Sequence, residues 1–465
     1  MANSIGQTAL TPARPGKLLV LAQEAVEAKQ RAALLRDAAD LLQKTGQVEF
    51  ALAQIDSALA IDPNDLSARR QKALLLAEAS KFAAARDWAE NILNDHPEDA
   101  ASWSLLGQIE KAEWVSRWRK NGMMREQAAQ ETHLLVQAIE PFHAAFSLDH
   151  ADFRSGLNAL VLRHLLFYLS RADHHPVKLQ SLREAVRHAI NDAIKKNSGN
   201  YSARAALAMF TLMQGDAPHA LDEYRVAFPM ADWFALASTR QELVLLDNLE
   251  FRPESIRPAL EAVHEEMERR GSPWQAHTVF LFSGHMIDRP ERKGPRFPAA
   301  VAPVAAAAIA QQLDSLATGP SDLAICGGAC GGDLLFAEAC LQRGLRREIY
   351  LQFAEPEFLQ ASVAFAGGEW VQRYYQVKAN PLTQVFVMPD ELGELPAGID
   401  PYSRNNLWQL YSALCNGPRR VRFIALWNGE AADGPGGTRH MVEVVEKHSG
   451  QAYILDTGAL WDGGG

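Results

Sequence analysis

The sequence predicts an α + α/β protein, an all-helical repeat solenoid followed by a Rossmann-like, mostly parallel sheet, and three observations carry that prediction. From Leu18 to about Arg270 the dominant apolar period is 3.6 residues, with abundant Ala, Leu and Glu and few β-branched runs. Within that stretch Pro63 and Pro97 stand in two similar phrases, ALAIDPND and ILNDHPED. Beyond Gly271–Pro273 the pattern changes to short apolar runs alternating with helical stretches, the signature of a parallel sheet covered on both faces. The expected division is a flexible lead at 1–17, a helical domain at 18–270 and an α/β domain at 276–460.

In the helical region Ala51 and Ala85 occupy related positions, as a tight crossing of paired helices requires. Trp103, Leu106 and Gly107 supply the WxxLG phrase that opens a tetratricopeptide helix pair, so two successive units cover about 48–118. A long helix is expected over 121–139, then helices over 150–171 and 176–194. The repeat pattern returns over 201–228 around a Gly215–Asp216 turn, and helices at 231–248 and 254–270 finish the region. Such a solenoid buries its apolar stripes between neighbours and leaves a concave face, which implies a protein partner or self-assembly. Trp88, Trp114 and Trp118 stand as either exposed binding aromatics or packing residues. Together with the phrase DFRSGLNALVLRHLL, the stretch from about 48 to 230 resembles the helical region beside the TRAF-binding part of certain MAP kinase kinase kinases, found also in many bacterial multidomain proteins. No kinase signature is present, so kinase activity is not implied.

The α/β half begins with a strand over 276–282 and a polar loop, SGHMIDRP. An alanine-rich helix follows at 297–316. Next comes the stretch around which the domain is organised, SDLAICGGACGGDLLFAEACLQRG (321–344): a buried strand, two glycine pairs and a helix start. Strands at 348–353, 384–388 and 421–427 alternate with helices at 356–366, 369–378 and through RNNLWQLYSAL. A second glycine-rich turn, DGPGGT, opens the last long helix, and QAYILDT forms an edge strand. Ligands of such sheets bind beyond the carboxyl ends of the strands. The loops gathering there are 283–296, 327–333, 354–357, 389–405 and 428–438. Glycines at a helix start let unpaired backbone amides approach a phosphate. The candidate ligand-binding residues are therefore Ser283, Gly284, Asp288, Gly327, Gly328, Gly331, Gly332, Asp333, Arg404, Asn405, Gly436, Gly437, Thr438 and Arg439. Each of the polar ones also has a reading as a solvated loop residue or helix cap. No P-loop lysine and no GxGxxG accompany the turns.

GGACGGDLLFAEACLQRG, with EFLQASV, Trp370 to Arg373 and the late GPGGT, resembles a Rossmann-like superfamily over about 276–457. Its members include the cytokinin-activating phosphoribohydrolases (LOG-type, or lysine decarboxylase-like, proteins), the DNA-processing protein DprA and the SLOG sensor domains. The resemblance implies a pocket for a nucleotide-derived ligand. It departs from the phosphoribohydrolases at their PGGxGTxxE motif, where this chain has Met441 in the glutamate's position and its nearest acid, Glu443, two residues on. That shift turns a helical side chain by roughly 200°. If the protein is a hydrolase, Asp333 or Glu355 is the expected acid or base, ahead of Glu338 and Glu443.

Composition excludes several other classes. A net charge of -10 and a pI near 5.8 argue against sequence-independent nucleic-acid binding, and no apolar run approaches the roughly 20 residues of a membrane span. The N-terminal stretch has no continuous apolar core of the signal-peptide kind, so a cytoplasmic location is expected. Cys326, Cys330, Cys340 and Cys415 lack CxxC pairing and read as reduced thiols. No compact metal cluster is visible and no cofactor is implied. The reading that results is a signalling or defence-type sensor of a nucleotide-derived ligand, with a partner protein or further copies bound by the repeats. An N-glycosidase acting on a nucleoside phosphate is the alternative, and a pure scaffold comes third.

Overall fold

The computed structural model describes residues 13–119, 123–170, 176–429, 438–448 and 450–462. The chain divides into two compact units: Pro63–Pro273, and a second that joins the residues before Pro63 to those from Trp274 onward. Among the described residues three helices come first, Ala13–Glu24 (α1), Ala28–Lys44 (α2) and Val48–Ile61 (α3). Residues 18–62, expected with the helical domain, group with the sheet instead, and α1 begins inside the stretch expected to be a flexible lead.

The helical unit runs through Leu66–Glu78 (α4), Phe82–Asp95 (α5), Ala100–Trp118 (α6), Met124–Gln130 (α7), Thr132–Leu148 (α8), Phe153–Ser170 (α9), Pro176–Lys196 (α10), Tyr201–Gln214 (α11), Ala217–Ala227 (α12), Trp233–Asn248 (α13) and Pro253–Arg270 (α14). The repeated DPND and HPED phrases work locally. Proline stops continuation of the preceding helix, and the last acid caps the next one. Asp65 accepts from the amides of Ser67 and Ala68, and Asp99 from that of Ser102. Asp152 and Asn200 do the same for α9 and α11. Between helices, small residues set the crossings: a Cβ on Gly107 would stand 2.7 Å from the Phe142 ring, so only glycine lets α6 and α8 approach so closely. The helix expected over 121–139 is divided at Glu131, the boundary of α7 and α8. Trp114 and Trp118 are fully buried against each other and belong to the core, whereas Trp88 is half-buried.

From Trp274 the elements alternate: Val279–Gly284 (β1), Ala302–Ser315 (α15), Leu323–Cys326 (β2), Gly332–Gln342 (α16), Arg346–Leu351 (β3), Glu355–Ser362 (α17), Gly368–Lys378 (α18), Thr383–Val387 (β4), Met388–Leu392 (α19), Pro401–Leu414 (α20), Val421–Trp427 (β5), Thr438–Lys447 (α21), Gln451–Asp456 (β6) and Thr457–Asp462 (α22). Among the described residues the six strands are all parallel, in the order β4-β3-β2-β1-β5-β6. The central strands read VFLF, LAIC and VRFIALW because both of their faces are covered. On one face Phe280, Phe282, Cys326 and Ile349 pack beneath α16 in the apolar core, with Phe282 stacked on Phe336. On the other, Tyr350 meets the Trp408 ring of α20 edge-on.

The outer side of α20 explains why α1 joins this unit. A Cβ on Gly16 would lie 2.8 Å from the Ser412 backbone nitrogen, so the two helices meet almost backbone to backbone. Glu24 then takes the Arg404 guanidinium in a two-pronged ion pair at 2.7 and 2.9 Å. Arg404 also donates to the carbonyls of Leu392 and Gly393, so this nearly inaccessible cation is fully engaged.

Candidate functional site

Strand order reverses between β1 and β5: β2 to β4 build outward on one side of β1, and β5 and β6 on the other. In an open parallel sheet such a reversal opens a crevice at the carboxyl ends of the two strands. β1 ends at Ser283 and Gly284, both half-buried, and β5 ends before Asn428. Beside them the turn after β2 leads into α16.

Several of the expected residues do converge. Gly284 and Gly332 face one another, since a Cβ on Gly332 would sit 3.1 Å from the Gly284 Cα. The segment after β1 runs antiparallel to the turn: the Gly332 amide donates to the His285 carbonyl at 3.0 Å, and the Ile287 amide to that of Cys330. Gly331, at φ +99°, is required twice over. A side chain there would be strained, and its Cβ would stand 2.8 Å from the His285 carbonyl oxygen. At Gly328, φ +72°, a Cβ would strike Ile349.

In the turn expected to meet a phosphate, several amides are engaged within the protein. Asp333 folds back under the turn, and its carboxylate accepts from the backbone amides of Ala329, Gly284 and Gly327. The Cys330 amide is taken by the Ser362 carbonyl. The glycines thus permit contacts within the protein, and an internal carboxylate occupies the nest. Burial pushes the Asp333 carboxyl up to about 7, with those three amides holding it down in part.

Around Gly327 a polar floor assembles. The position of a Cβ on that glycine lies 2.8 Å from Asp333 Oδ2, 3.5 Å from Gln409 Nε2 and 3.9 Å from Asn405 Nδ2. Asn405, 3% exposed, donates through Nδ2 to the Tyr350 carbonyl at 2.7 Å, while its Oδ1 is buried without a partner. Deeper under α20 the Tyr350 hydroxyl donates to Glu348, whose buried carboxyl is likewise pushed up to about 7.

Other expected residues have structural duties. Asp288 accepts from the amides of Arg296 and Phe297, each at 2.8 Å, and so pins the loop after β1. Arg404, expected in the crevice, is instead enclosed by Glu24. Glu355 is held by Lys378 at 2.6 Å and by the Tyr374 hydroxyl at 3.0 Å. Glu338 is bound at both oxygens by Arg373. Thr438 is half-buried at the start of α21 and Arg439 is exposed, while Gly436 and Gly437 lie outside the described residues. Met441 is fully buried and Glu443 points outward, as the helical turn between them requires.

Sequence reasoning missed His285 and Gln409. His285 follows β1; its ring bonds to Asn428 beyond β5, and its Nε2 is buried without a partner. Burial lowers its pKa, helped by Arg296 and Arg292 nearby. It thus bridges the two strand ends as a neutral imidazole near neutral pH. The loop it opens carries Arg289, Arg292, Lys293 and Arg296 within eight residues, a cationic run readable from the sequence.

In the helical unit a cleft of about 410 Å³ lies between α4 and α5, lined by Arg69, Trp88, Asn91, Asn94 and Asp95 together with Pro63 and Asn64. Lys72 lies 4.5 Å over the Trp88 ring. Among the described residues no cluster of His, Cys, Asp or Glu could hold a metal ion, and no helix is long and apolar enough to cross a membrane.

No curated protein matches the chain. Among solved structures, the crystal structure of a thermophilic TPR protein from Thermus thermophilus superposes with a TM-score of 0.34 at 17% identity, over 46% of this chain and 99% of that one. Residues 47–163, from the start of α3 into α9, match the family described as Tetratricopeptide Repeats-Sensor.

Proposed function

We propose that the protein is a cytoplasmic signalling or defence-type sensor. Its α/β unit takes a nucleotide-derived ligand of the kind implied by the SLOG resemblance, and its repeats hold a partner protein or a second copy. The observation that carries this reading is the reversal between β1 and β5, bridged by His285 and Asn428 and flanked by the polar floor around Gly327. The matching family's name, with its sensor term, points the same way for the repeats. On the partner side, Asn91 and Asn94 stand one helical turn apart in the α4–α5 cleft, where their amides suit the backbone of an extended peptide.

The second reading, N-glycosidic cleavage, draws on the Asp333 carboxyl, whose pKa of about 7 suits a general acid. It ranks lower because Met441, an apolar core residue, stands where the resembling hydrolases have their glutamate. The test incubates the intact protein with nucleoside monophosphates and dinucleotides, and follows binding by calorimetry and products by chromatography. Saturable binding without release of free base is the expected result. Robust base release would replace the sensor with the hydrolase, and no binding at all would remove both.

A further inference from the structure

Most half-buried arginines of the helical unit meet a carboxylate. Arg70 pairs with Asp99, Arg86 with Glu110 and Glu113, Arg204 with Glu223 and Arg270 with Glu266. Among the described residues Arg163, Arg183 and Arg252 are half-buried and have no ion pair. Packing brings their elements together. Tyr168, one turn beyond His164 on α9, meets the Phe251 ring edge-on at 5.3 Å and donates to the Glu250 carbonyl at 2.9 Å, which sets that face of α9 against the turn before α14. α10 lies so close to α9 that a Cβ on Gly156 would stand 2.7 Å from Val186, and Arg183 is one turn from Val186. His164 registers the result. Burial, then the charges of Arg183 and Arg252, push its pKa down to about 4, and no carboxylate offsets them.

Donors in this group are left unused. His164 Nε2 and the Nε atoms of Arg163 and Arg183 are buried without a partner. Arg183 bonds only to Gln180, and Arg252 uses Nη1 alone, on the Leu212 and Met213 carbonyls that end α11. Nearby acids are engaged elsewhere: Glu184 accepts from Gln180, and Glu250 lies 3.5 Å from Arg125. Arg252 is also held at φ +47°, a left-handed backbone that a residue with a side chain keeps only where its surroundings impose it. Like charges gathered with unfilled donors are unfavourable until an anion arrives.

We propose that His164, Arg183 and Arg252, with Arg163 beside them, form a phosphate-binding site in the helical unit. Planar guanidinium groups match phosphate oxygens, and a neutral imidazole adds one N–H. The site is separate from the sheet crevice and does not rest on the nucleotide-sensing reading. Its ligand is a phosphate monoester, carried by a nucleotide or by a phosphorylated side chain of a partner.

The intact protein is followed by hydrogen-exchange mass spectrometry while inorganic phosphate is titrated, against sodium chloride of equal ionic strength. Phosphate, and not chloride, should slow exchange in α9, α10 and residues 249–253 together. Arg252→Gly suits the left-handed backbone, so it should fold, and it should weaken phosphate binding by at least about tenfold, as should Arg183→Ala. Arg187→Ala, at an exposed position of the same helix, should leave binding as it was. Repeating the titration with adenosine 5′-monophosphate and with a phosphoserine peptide identifies the carrier as the one that binds more tightly than inorganic phosphate. Binding of the nucleotide in the sheet crevice does not enter a readout taken on α9 and α10. Protection by none of the three phosphates, or equal protection by chloride, overturns the site. Protection retained in both folded variants, or lost equally in Arg187→Ala, overturns it as well.

Discussion

Glu348 offers a sharp test of the buried polar layer beneath α20. Its carboxyl, 9% exposed, has the Tyr350 hydroxyl as donor, and burial lifts its pKa from 4.5 to about 7. Between those values the folded chain binds more protons at this site than the unfolded chain does. Stability therefore falls as pH rises through the window, and above it the charged form costs about 3 kcal/mol. Glu348→Gln keeps an acceptor for Tyr350 and removes the charge, but adds amide hydrogens that need partners, at about 1–2 kcal/mol. At about pH 8 the variant should be more stable than the wild type by about 1–2 kcal/mol, and at about pH 5 less stable by a similar amount. The contribution of Asp333 to the wild-type slope is shared by the variant and drops out of the difference. Because two units can unfold separately, the assay is urea-dependent hydrogen exchange of the peptide covering β3, which reports its own unit. Parallel stability curves for the two proteins across that pH range would refute the account of Glu348 as a neutral buried acid.

Two further perturbations address the parts the sequence misplaced. Glu24→Ala strands the guanidinium of Arg404, whose side chain is 1% exposed, and should cost the α/β unit about 3 kcal/mol, somewhat less if the Leu392 and Gly393 carbonyls compensate. Hydrogen exchange of α1 and α20 should rise together, and a rise confined to α1 would show that α20 does not depend on the pair. Gly331→Ala combines a left-handed φ with a Cβ 2.8 Å from the His285 carbonyl, and should destabilise the unit by more than about 2 kcal/mol. An unchanged urea midpoint for that variant would mean that the turn is not held as described.

How much could be read beforehand differs between the fold and the site. Helices and strands were legible because their signals are local: the 3.6-residue stripe of the solenoid, the proline and acid of each inter-helix phrase, and the apolar runs at 323–326 and 421–427. The glycines were legible too, as places where a backbone must come close. What they come close to was not. Gly332 makes room for Gly284, and Gly331 for the His285 carbonyl; these partners lie more than 40 residues away and are set by strand order.

The sequence by itself determined the two architectures, since periodicity and turn chemistry act within a few residues. Only the tertiary structure decided that α1 lies on α20 and takes Arg404 away from the crevice, because ion pairing of a buried cation requires a partner 380 residues distant. It alone decided that Asp333 turns inward to occupy the amide nest. A carboxylate at a helix start faces solvent, a ligand or its own backbone according to which groups surround it, and those groups come from the ends of two different strands.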